Sequence, residues 1–82
     1  METLDRDVRI TLYKTLRKLG VKKEEIEIEA SYENDLQLDD IDMKCLYFYL
    51  ETKFDIDIKD EELPQIYSIG NTIDYINHKI RA

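Results

Sequence analysis

The stretch Asp39–Phe54 decides the fold, and it reads Asp-Asp-Ile-Asp-Met-Lys-Cys-Leu-Tyr-Phe-Tyr-Leu-Glu-Thr-Lys-Phe. Acids at its start are typical of a helix N-terminus, where carboxylates accept hydrogen bonds from free backbone N–H groups and oppose the positive end of the helix dipole. Its apolar residues, placed at about 100° per residue, form two stripes on opposite faces. The inner stripe, predicted to face the core, contains Met43, Leu46, Tyr47, Leu50 and Phe54. The outer stripe contains Ile41, Cys45, Phe48 and Thr52.

The outer stripe is a candidate contact surface. A small domain cannot easily cover two apolar faces of one helix, so one of them is expected to stay in contact with solvent or with a partner. An ordinary surface with scattered apolar residues is the alternative, since such residues are common on folded proteins.

Length and composition bound the class of protein. The 82 residues suffice for a single domain, residues 1–82, with a modest core. One cysteine and one histidine provide neither an intrachain disulfide nor a Cys/His zinc site, so we expect no metal and a reducing, cytoplasmic setting. No membrane span or signal peptide is predicted. The net charge of −7 should repel nucleic acid and anionic membranes and attract basic partners, and we expect a monomer.

Helical periodicity predicts two further main helices and a short one. Residues 4–19 form the first helix, with Thr3 as its cap, Gly20 as its end and an apolar stripe of Leu4, Val8, Leu12, Leu16 and Leu19. The last helix follows Ser68 as its cap and has one apolar face of Ile69, Ile73, Ile76 and Ile80. Between them, Asp60 begins a helix that Pro64 limits to one or two turns.

Two short segments alternate apolar and acidic residues, which is typical of β-strands. The first contains Ile26, Ile28 and Ala30, and the second contains Phe54, Ile56 and Ile58. Paired, they would form a ribbon and an α+β fold, but an isolated two-stranded ribbon is marginally stable in water. We therefore predict extended loops that place apolar side chains on a helical core. The fold class is all-α, with three main helices, one short helix and a long first loop.

A colinear set of fragments runs from Leu19 to the C-terminus. The fragments are Leu19-Gly20-Val21, Ala30-Ser31-Tyr32, Asp35-Leu36, Phe54-Asp55, Asp60-Glu61-Glu62 and Ile73-Asp74-Tyr75-Ile76-Asn77. Together they resemble an acyl carrier protein, laid against the family pattern without a gap. The resemblance implies a right-handed bundle whose second helix begins with Asp-Ser-Leu, and the serine of that motif carries 4′-phosphopantetheine. The matching residues here are Asp39, Asp40 and Ile41, so Asp40 stands at the serine position.

An aspartate at position 40 does not suit the chemistry of attachment. A serine hydroxyl attacks the pyrophosphate of coenzyme A and leaves a stable phosphodiester, whereas a carboxylate is a weak nucleophile and would give a labile acyl phosphate. Ser31 and Ser68 lie outside an Asp-Ser-Leu context. We therefore expect no 4′-phosphopantetheine on this chain. Asp40 is expected to cap the helix, either as its only role or while also placing negative charge where the phosphate would sit.

The resemblance also implies that the second helix docks onto basic patches of acyl-handling enzymes of the fatty acid or polyketide type. The positions assigned to this partner-binding surface are Asp39, Ile41, Asp42, Cys45, Phe48, Glu51 and Asp60. Lys44 and Cys45 make the surface less acidic than is usual in the family, so the partner is expected to differ as well.

Three functions remain open, and none of them is enzymatic. The first is an acyl-carrier-like docking or regulatory partner that no longer carries a prosthetic group. The second is a functional acyl carrier protein whose natural residue at position 40 is the attachment serine, exchanged for Asp40 in this sequence to block modification. The third is an unrelated acidic helical interaction module. Cys45 and His78 are not expected to form a nucleophile–base pair, because they lie on different predicted helices with no third orienting group.

Four tyrosines bear on whether the core has room for an acyl chain. We expect most of them to pack in the core, where their rings would fill the space between the helices. They are Tyr47, Tyr49, Tyr67 and Tyr75.

Overall fold

The structure is a computed structural model that describes residues 2–81, with side chains from residue 6 to residue 80. It contains three α-helices, α1 (Glu2–Lys18), α2 (Asp40–Phe54) and α3 (Ile69–Arg81). Two short 3₁₀ helices, η1 (Lys23–Glu25) and η2 (Asp60–Gln65), lie in the connections. No β-strand occurs between residues 2 and 81. The prediction of an all-helical chain with three main helices and a short one is confirmed, and the β-ribbon is not formed.

The α1 helix begins two residues earlier than the sequence suggested and ends one residue earlier, at Lys18. Its first residue is Glu2, so Thr3 lies inside the helix and is not its cap. The side chain of Leu4 lies outside the described residues; Val8, Leu12 and Leu16 of the predicted stripe are fully buried, and Leu19 is half-buried. Gly20 has a φ of +98°, a left-handed conformation that favours glycine and that stops the helix.

The α2 helix is bounded by local interactions that its sequence encodes. The carboxylate of Asp39 accepts a hydrogen bond from the N–H of Asp42 (2.8 Å), and the carboxylate of Asp42 accepts one from the N–H of Asp39 (3.3 Å). This reciprocal pair satisfies two N–H groups that an uncapped helix would leave free. At the other end, Asp55 takes a left-handed conformation with a φ of 52°. The central residues of the inner stripe, Leu46 and Leu50, are completely buried.

The long connection between α1 and α2 is held by the segment that leads into α3. The N–H of Tyr32 donates to the carbonyl of Tyr67 (3.0 Å), and the N–H of Ile69 donates to the carbonyl of Ala30 (3.2 Å). Ser31 and Ser68 form an isolated antiparallel bridge between the two segments. The segment in which apolar and acidic residues alternate contains a turn, in which the N–H of Ala30 donates to the carbonyl of Glu27 (3.0 Å), and it pairs with residues 67–70.

Gly70 has a packing function that its sequence position did not reveal. Its N–H donates to the carbonyl of Ile28 (2.9 Å). A Cβ at position 70 would lie 3.1 Å from that carbonyl oxygen and 3.1 Å from a methyl group of Ile28. The absence of a side chain therefore lets the first turn of α3 lie directly against the connection.

The tyrosines do not fill the core in the way that we predicted. Tyr75 is buried and Tyr47 is half-buried, but Tyr49 and Tyr67 are 42% and 60% exposed, so the prediction is wrong for those two. The most deeply buried tyrosine is Tyr32, with 1% exposure. The sequence places Tyr49 between the two stripes of α2, where its ring contacts Phe48 instead of the core.

Candidate functional site

An open groove with a volume of about 850 Å³ runs along α2. The α1–α2 connection and η2 form its other walls. Five of the eight residues that we singled out from the sequence line this groove, namely Asp39, Asp40, Phe48, Glu51 and Asp60. The remaining three, Ile41, Asp42 and Cys45, lie on α2 outside its lining. The fold therefore brings Asp60, from a different element, to the same groove as the start of α2.

The outer stripe of α2 faces away from the core. Ile41 is 71% exposed and Phe48 is 65% exposed, and both Cys45 and Thr52 are also exposed. Exposure of two large apolar side chains on one helix face is unfavourable in water and is typical of a contact surface. The prediction that α2 has one core face and one outward apolar face is confirmed.

The acids at the start of α2 have distinct structural roles. Asp39 is the N-cap and exchanges hydrogen bonds with Asp42, whereas Asp40 is the first helical residue and is exposed. The capping group is thus Asp39, so the prediction that Asp40 caps the helix is wrong. Asp40 lies one residue inside the helix and contributes through its charge at the positive end of the helix dipole. The arrangement places a solvent-accessible carboxylate at the edge of the groove, beside exposed Ile41.

Glu51 has a structural contact that sequence analysis missed. One oxygen of its carboxylate accepts a hydrogen bond from the backbone N–H of Ile58 (2.9 Å). This bond ties the segment after α2 back onto the helix and so helps to position η2 along the groove. The carboxylate of Glu51 is therefore partly committed to the fold, and Asp60 is the more accessible acid on this wall.

Tyr32 forms part of the groove and was not predicted as a site residue. Its hydroxyl hydrogen bonds to the hydroxyl of Thr72, which itself donates to the carbonyl of Ser68 (2.8 Å). Because the single hydroxyl proton of Thr72 is used in that second bond, Tyr32 is the donor in the first. Burial raises the pKa of Tyr32 well above its ordinary value, so its hydroxyl stays protonated.

The η2 wall is attached to α3 through Glu62. The carboxylate of Glu62 accepts hydrogen bonds from the backbone N–H of Lys59 (3.0 Å) and the hydroxyl of Tyr75 (3.0 Å), and it forms an ion pair with the ammonium group of Lys79 (2.9 Å). The Lys59 N–H, followed by the Lys79 ammonium, lowers the pKa of Glu62 to about 2. The ionised form of Glu62 is therefore the one that holds η2 in place.

This contact predicts a pH dependence of stability. Because the folded pKa of about 2 lies below the ordinary value of 4.5, ionised Glu62 stabilises the fold above pH 4.5 and loses this effect as the pH falls toward 2. The variant Glu62→Gln should be less stable than the natural chain at neutral pH, and the difference should shrink steadily below pH 4.5. Urea unfolding followed by circular dichroism at several pH values measures this.

The matched control is Glu61→Gln, because Glu61 is the neighbouring residue and its side chain is exposed. It removes the same charge from η2 and should change the urea midpoint much less at neutral pH. The assignment would be contradicted if the free energies of unfolding of Glu62→Gln and the natural chain differed by the same amount at neutral pH and at about pH 2.5. Linkage requires this difference to become smaller at the lower pH.

The fold and this groove together define a small all-helical protein with an acidic and apolar face on its second helix. No known protein-family model matches the chain. Within residues 2–81 no helix is both long and apolar enough to cross a membrane. The described side chains include no group of three or more His, Cys, Asp or Glu residues that could hold a metal ion. Cys45 is exposed on α2 and His78 is exposed on α3.

Proposed function

We propose that the chain is an acyl-carrier-like protein without a prosthetic group, which acts as a docking or regulatory partner of an acyl-handling enzyme of the fatty acid or polyketide type. One observation carries the proposal. Asp40 occupies the exposed first turn of α2 at the edge of the groove, which is the position where the resemblance implies a modified serine. A carboxylate there retains the negative charge of the site and lacks the hydroxyl that attachment requires.

The order and length of the elements support this proposal. A long connection, residues 19–39, separates α1 from α2, and the short η2 lies between α2 and α3. This is the arrangement that the resemblance to acyl carrier proteins implies. The groove begins beside Asp39 and Asp40, and the half-buried Met43 and Tyr47 form part of its lining.

The docking face combines charge and apolar surface. Asp39, Asp40 and Asp42 concentrate negative charge at one end of α2, while Ile41 and Phe48 expose apolar side chains beside it. Charges at the rim of an interface chiefly raise the association rate with a partner of opposite charge. Buried aromatic side chains contribute most of the affinity, and loss of one at an interface centre typically costs about 2 kcal/mol or more.

The absence of the prosthetic group is tested by intact-mass measurement. The natural chain is incubated with coenzyme A, magnesium and a phosphopantetheinyl transferase that accepts many carrier proteins. We expect no change in mass, because none of the hydroxyl groups of Ser31, Ser68 or the tyrosines occupies the first turn of α2. A gain of one phosphopantetheinyl group on the natural chain would end the non-carrier proposal.

The docking function is tested by calorimetric titration of the chain into purified β-ketoacyl synthases and acyltransferases with basic docking patches. The variant Phe48→Ala should weaken binding by about 2 kcal/mol, which is roughly thirtyfold. The control Ile80→Ala truncates an apolar side chain that is 41% exposed on α3, and it should leave the affinity unchanged. Equal effects of the two variants, or no binding to any of these enzymes, would contradict the docking function.

Two other functions use the same surface. The first is a functional acyl carrier protein whose serine was exchanged for Asp40. A serine codon at position 40 of the natural gene would favour it, whereas an aspartate codon would favour the proposed function. An unrelated acidic helical interaction module would also present Ile41 and Phe48, because their exposure does not depend on the resemblance. Binding of the chain to basic proteins that handle no acyl group, with the same loss on Phe48→Ala, would favour that module.

A further inference from the structure

The groove along α2 is lined by carboxylates on each of its three walls. They are Asp39, Asp40 and Glu51 on α2, Glu33 on the α1–α2 connection and Asp60 on η2. Among the side chains that the structure describes, Lys44 is the one base in this lining. Five acids against one base make every wall negative, so the electrostatic field in the groove favours a cation.

The charges beside the lining have the same balance. Two lysines, Lys53 and Lys59, lie within two residues of the lining along the chain. Five acids lie equally near, and one of them, Glu62, is already paired with Lys79. The other four are Asp35, Asp42, Asp57 and Glu61. Each wall therefore stays negative when its neighbouring charges are counted.

Aromatic rings complete the lining. Tyr47 is half-buried, whereas Phe48 and Tyr67 are 65% and 60% exposed. The face of an aromatic ring carries partial negative charge and attracts an ammonium group that lies within about 6 Å of its centre. The rings and the carboxylates together are therefore suited to an organic ammonium ion, which has both an apolar and a charged part.

The spacing of the carboxylates does not suit a single compact cation. Asp40 and Glu51 are eleven residues apart on α2, which is about 16 Å at about 1.5 Å per residue. The described side chains include no group of three or more potential ligands that could hold one metal ion. An occupant that reaches both ends of the groove must therefore carry positive charge at several points along an extended chain.

The apolar floor of the groove distinguishes an amine from a peptide. In this lining Leu38 and Ile66 are buried, and Leu63 is half-buried. A peptide would place its backbone N–H and C=O groups against these side chains, where they would lose water without gaining partners. Residues 2–81 offer no strand edge to pair with such a backbone. A linear polyamine has only methylene groups between its ammonium groups, so its methylenes can pack on the floor while its charges face carboxylates and water.

We infer that the groove along α2 binds a linear polyamine, in which three or four ammonium groups are joined by short alkyl chains. One terminal ammonium group pairs with Asp39 and Asp40 at the start of α2. The other pairs with Asp60, two positions after Ile58, whose N–H is bonded to Glu51. The inner ammonium groups lie against the aromatic rings. The inference requires no partner protein and so does not rest on the proposed function.

The test is calorimetric titration of the full chain at low ionic strength with spermine, spermidine and hexaamminecobalt(III). The cobalt complex carries the same charge as spermidine, but it is a compact sphere without alkyl chains. We expect one spermine per chain to bind with sub-millimolar affinity that weakens as salt is added, because most of the carboxylates are exposed. Spermidine should bind more weakly than spermine but at least about fivefold more tightly than hexaamminecobalt(III).

Two charge variants of α2 provide the decisive comparison. Lys44→Glu adds an acid to the lining and should tighten spermine binding at least about fivefold. Lys53→Glu makes the same charge change on an exposed residue of α2 outside the lining and should tighten binding less than about twofold. Because the expected effect is a gain of affinity, partial unfolding of the variant cannot imitate it.

Two further variants test the other walls. Tyr67→Ser removes an aromatic ring and Asp60→Asn removes a charge, and each should weaken spermine binding about threefold or more. The matched control is Glu24→Gln, which removes an exposed charge from η1, outside the lining, and should leave the affinity unchanged.

Four results would overturn the inference. They are no binding of spermine, equal affinities for spermidine and hexaamminecobalt(III), equal effects of Lys44→Glu and Lys53→Glu, and tighter binding of a tetralysine peptide than of spermine. The second and third would show that net charge alone attracts the amines. The fourth would assign the groove to a basic segment of another protein.

Discussion

Replacing Tyr32 with alanine should leave the chain largely unfolded at neutral pH. The ring of Tyr32 is 1% exposed and is the largest side chain that is completely buried. Truncating a buried aromatic side chain to alanine typically costs ~3–5 kcal/mol. A core of this size supplies only ~3–5 kcal/mol of net stability in a domain without a disulfide or metal. The loss is therefore as large as the whole margin that keeps the chain folded.

The position of Tyr32 in the fold adds to this effect. Its N–H donates to the carbonyl of Tyr67 (3.0 Å), and its carbonyl accepts from the N–H of Leu38 (2.9 Å). Tyr32 thus lies in the segment that joins the α1–α2 connection to the start of α3, and its ring is buried at that junction. Loss of the ring removes packing from both sides of that junction and opens the groove along α2.

Two further variants separate the contributions at this position. Tyr32→Phe keeps the ring and removes only the hydrogen bond to Thr72, so it should cost about 1 kcal/mol. Tyr49→Ala truncates a tyrosine that is 42% exposed and should cost much less than Tyr32→Ala. Urea unfolding followed by circular dichroism gives all three values. If Tyr32→Ala unfolds cooperatively with a free energy of unfolding within about 1 kcal/mol of that of the natural chain, the connection is held by other contacts.

Replacing Asp40 with serine should convert a chain that is not modified into one that is. The expected product is a single phosphopantetheinyl group, formed when the serine oxygen attacks the phosphorus of coenzyme A that bears the pantetheine and adenosine bisphosphate leaves. The proton of the hydroxyl passes to the transferase, and the new bond is a stable phosphodiester. Position 40 is exposed in the first turn of α2, so the hydroxyl would be accessible.

The fold should tolerate this substitution. The capping pair consists of Asp39 and Asp42, and neither is altered. Loss of the carboxylate at position 40 removes a favourable interaction with the helix dipole that is typically worth ~0.3–1 kcal/mol. Any failure of modification would therefore reflect recognition by the transferase and not unfolding, and a circular dichroism spectrum of the variant checks this.

Intact-mass measurement after incubation with coenzyme A and the transferase reads out the result. The matched control is Asp42→Ser, which places a hydroxyl two residues further along the same first turn and should remain unmodified. If folded Asp40→Ser gains no mass with any carrier-protein transferase, position 40 does not correspond to the attachment serine. Equal modification of the two variants would show that the transferase does not distinguish the positions.

The sequence alone determined the presence of the three main helices and the faces of α2, but it did not predict η1 or the exact start of α1. A capping carboxylate and its reciprocal partner lie three residues apart, as Asp39 and Asp42 do, and helical geometry brings them together wherever the helix lies. The outward orientation of Ile41 and Phe48 follows from the same geometry, because the angular spacing of residues on a helix is constant. Gly20 ended α1 as predicted, since its left-handed conformation is a local property of the backbone.

The tertiary structure alone decided what the irregular segments contact. The alternation at residues 26–30 shows that one side is apolar, but it does not specify the distant segment with which this part of the chain pairs. That segment is residues 67–70. Tyr32 and Thr72 are forty residues apart, and Glu62 and Lys79 are seventeen apart. Such contacts depend on how complete elements pack in space, and no pattern of neighbouring residues encodes that.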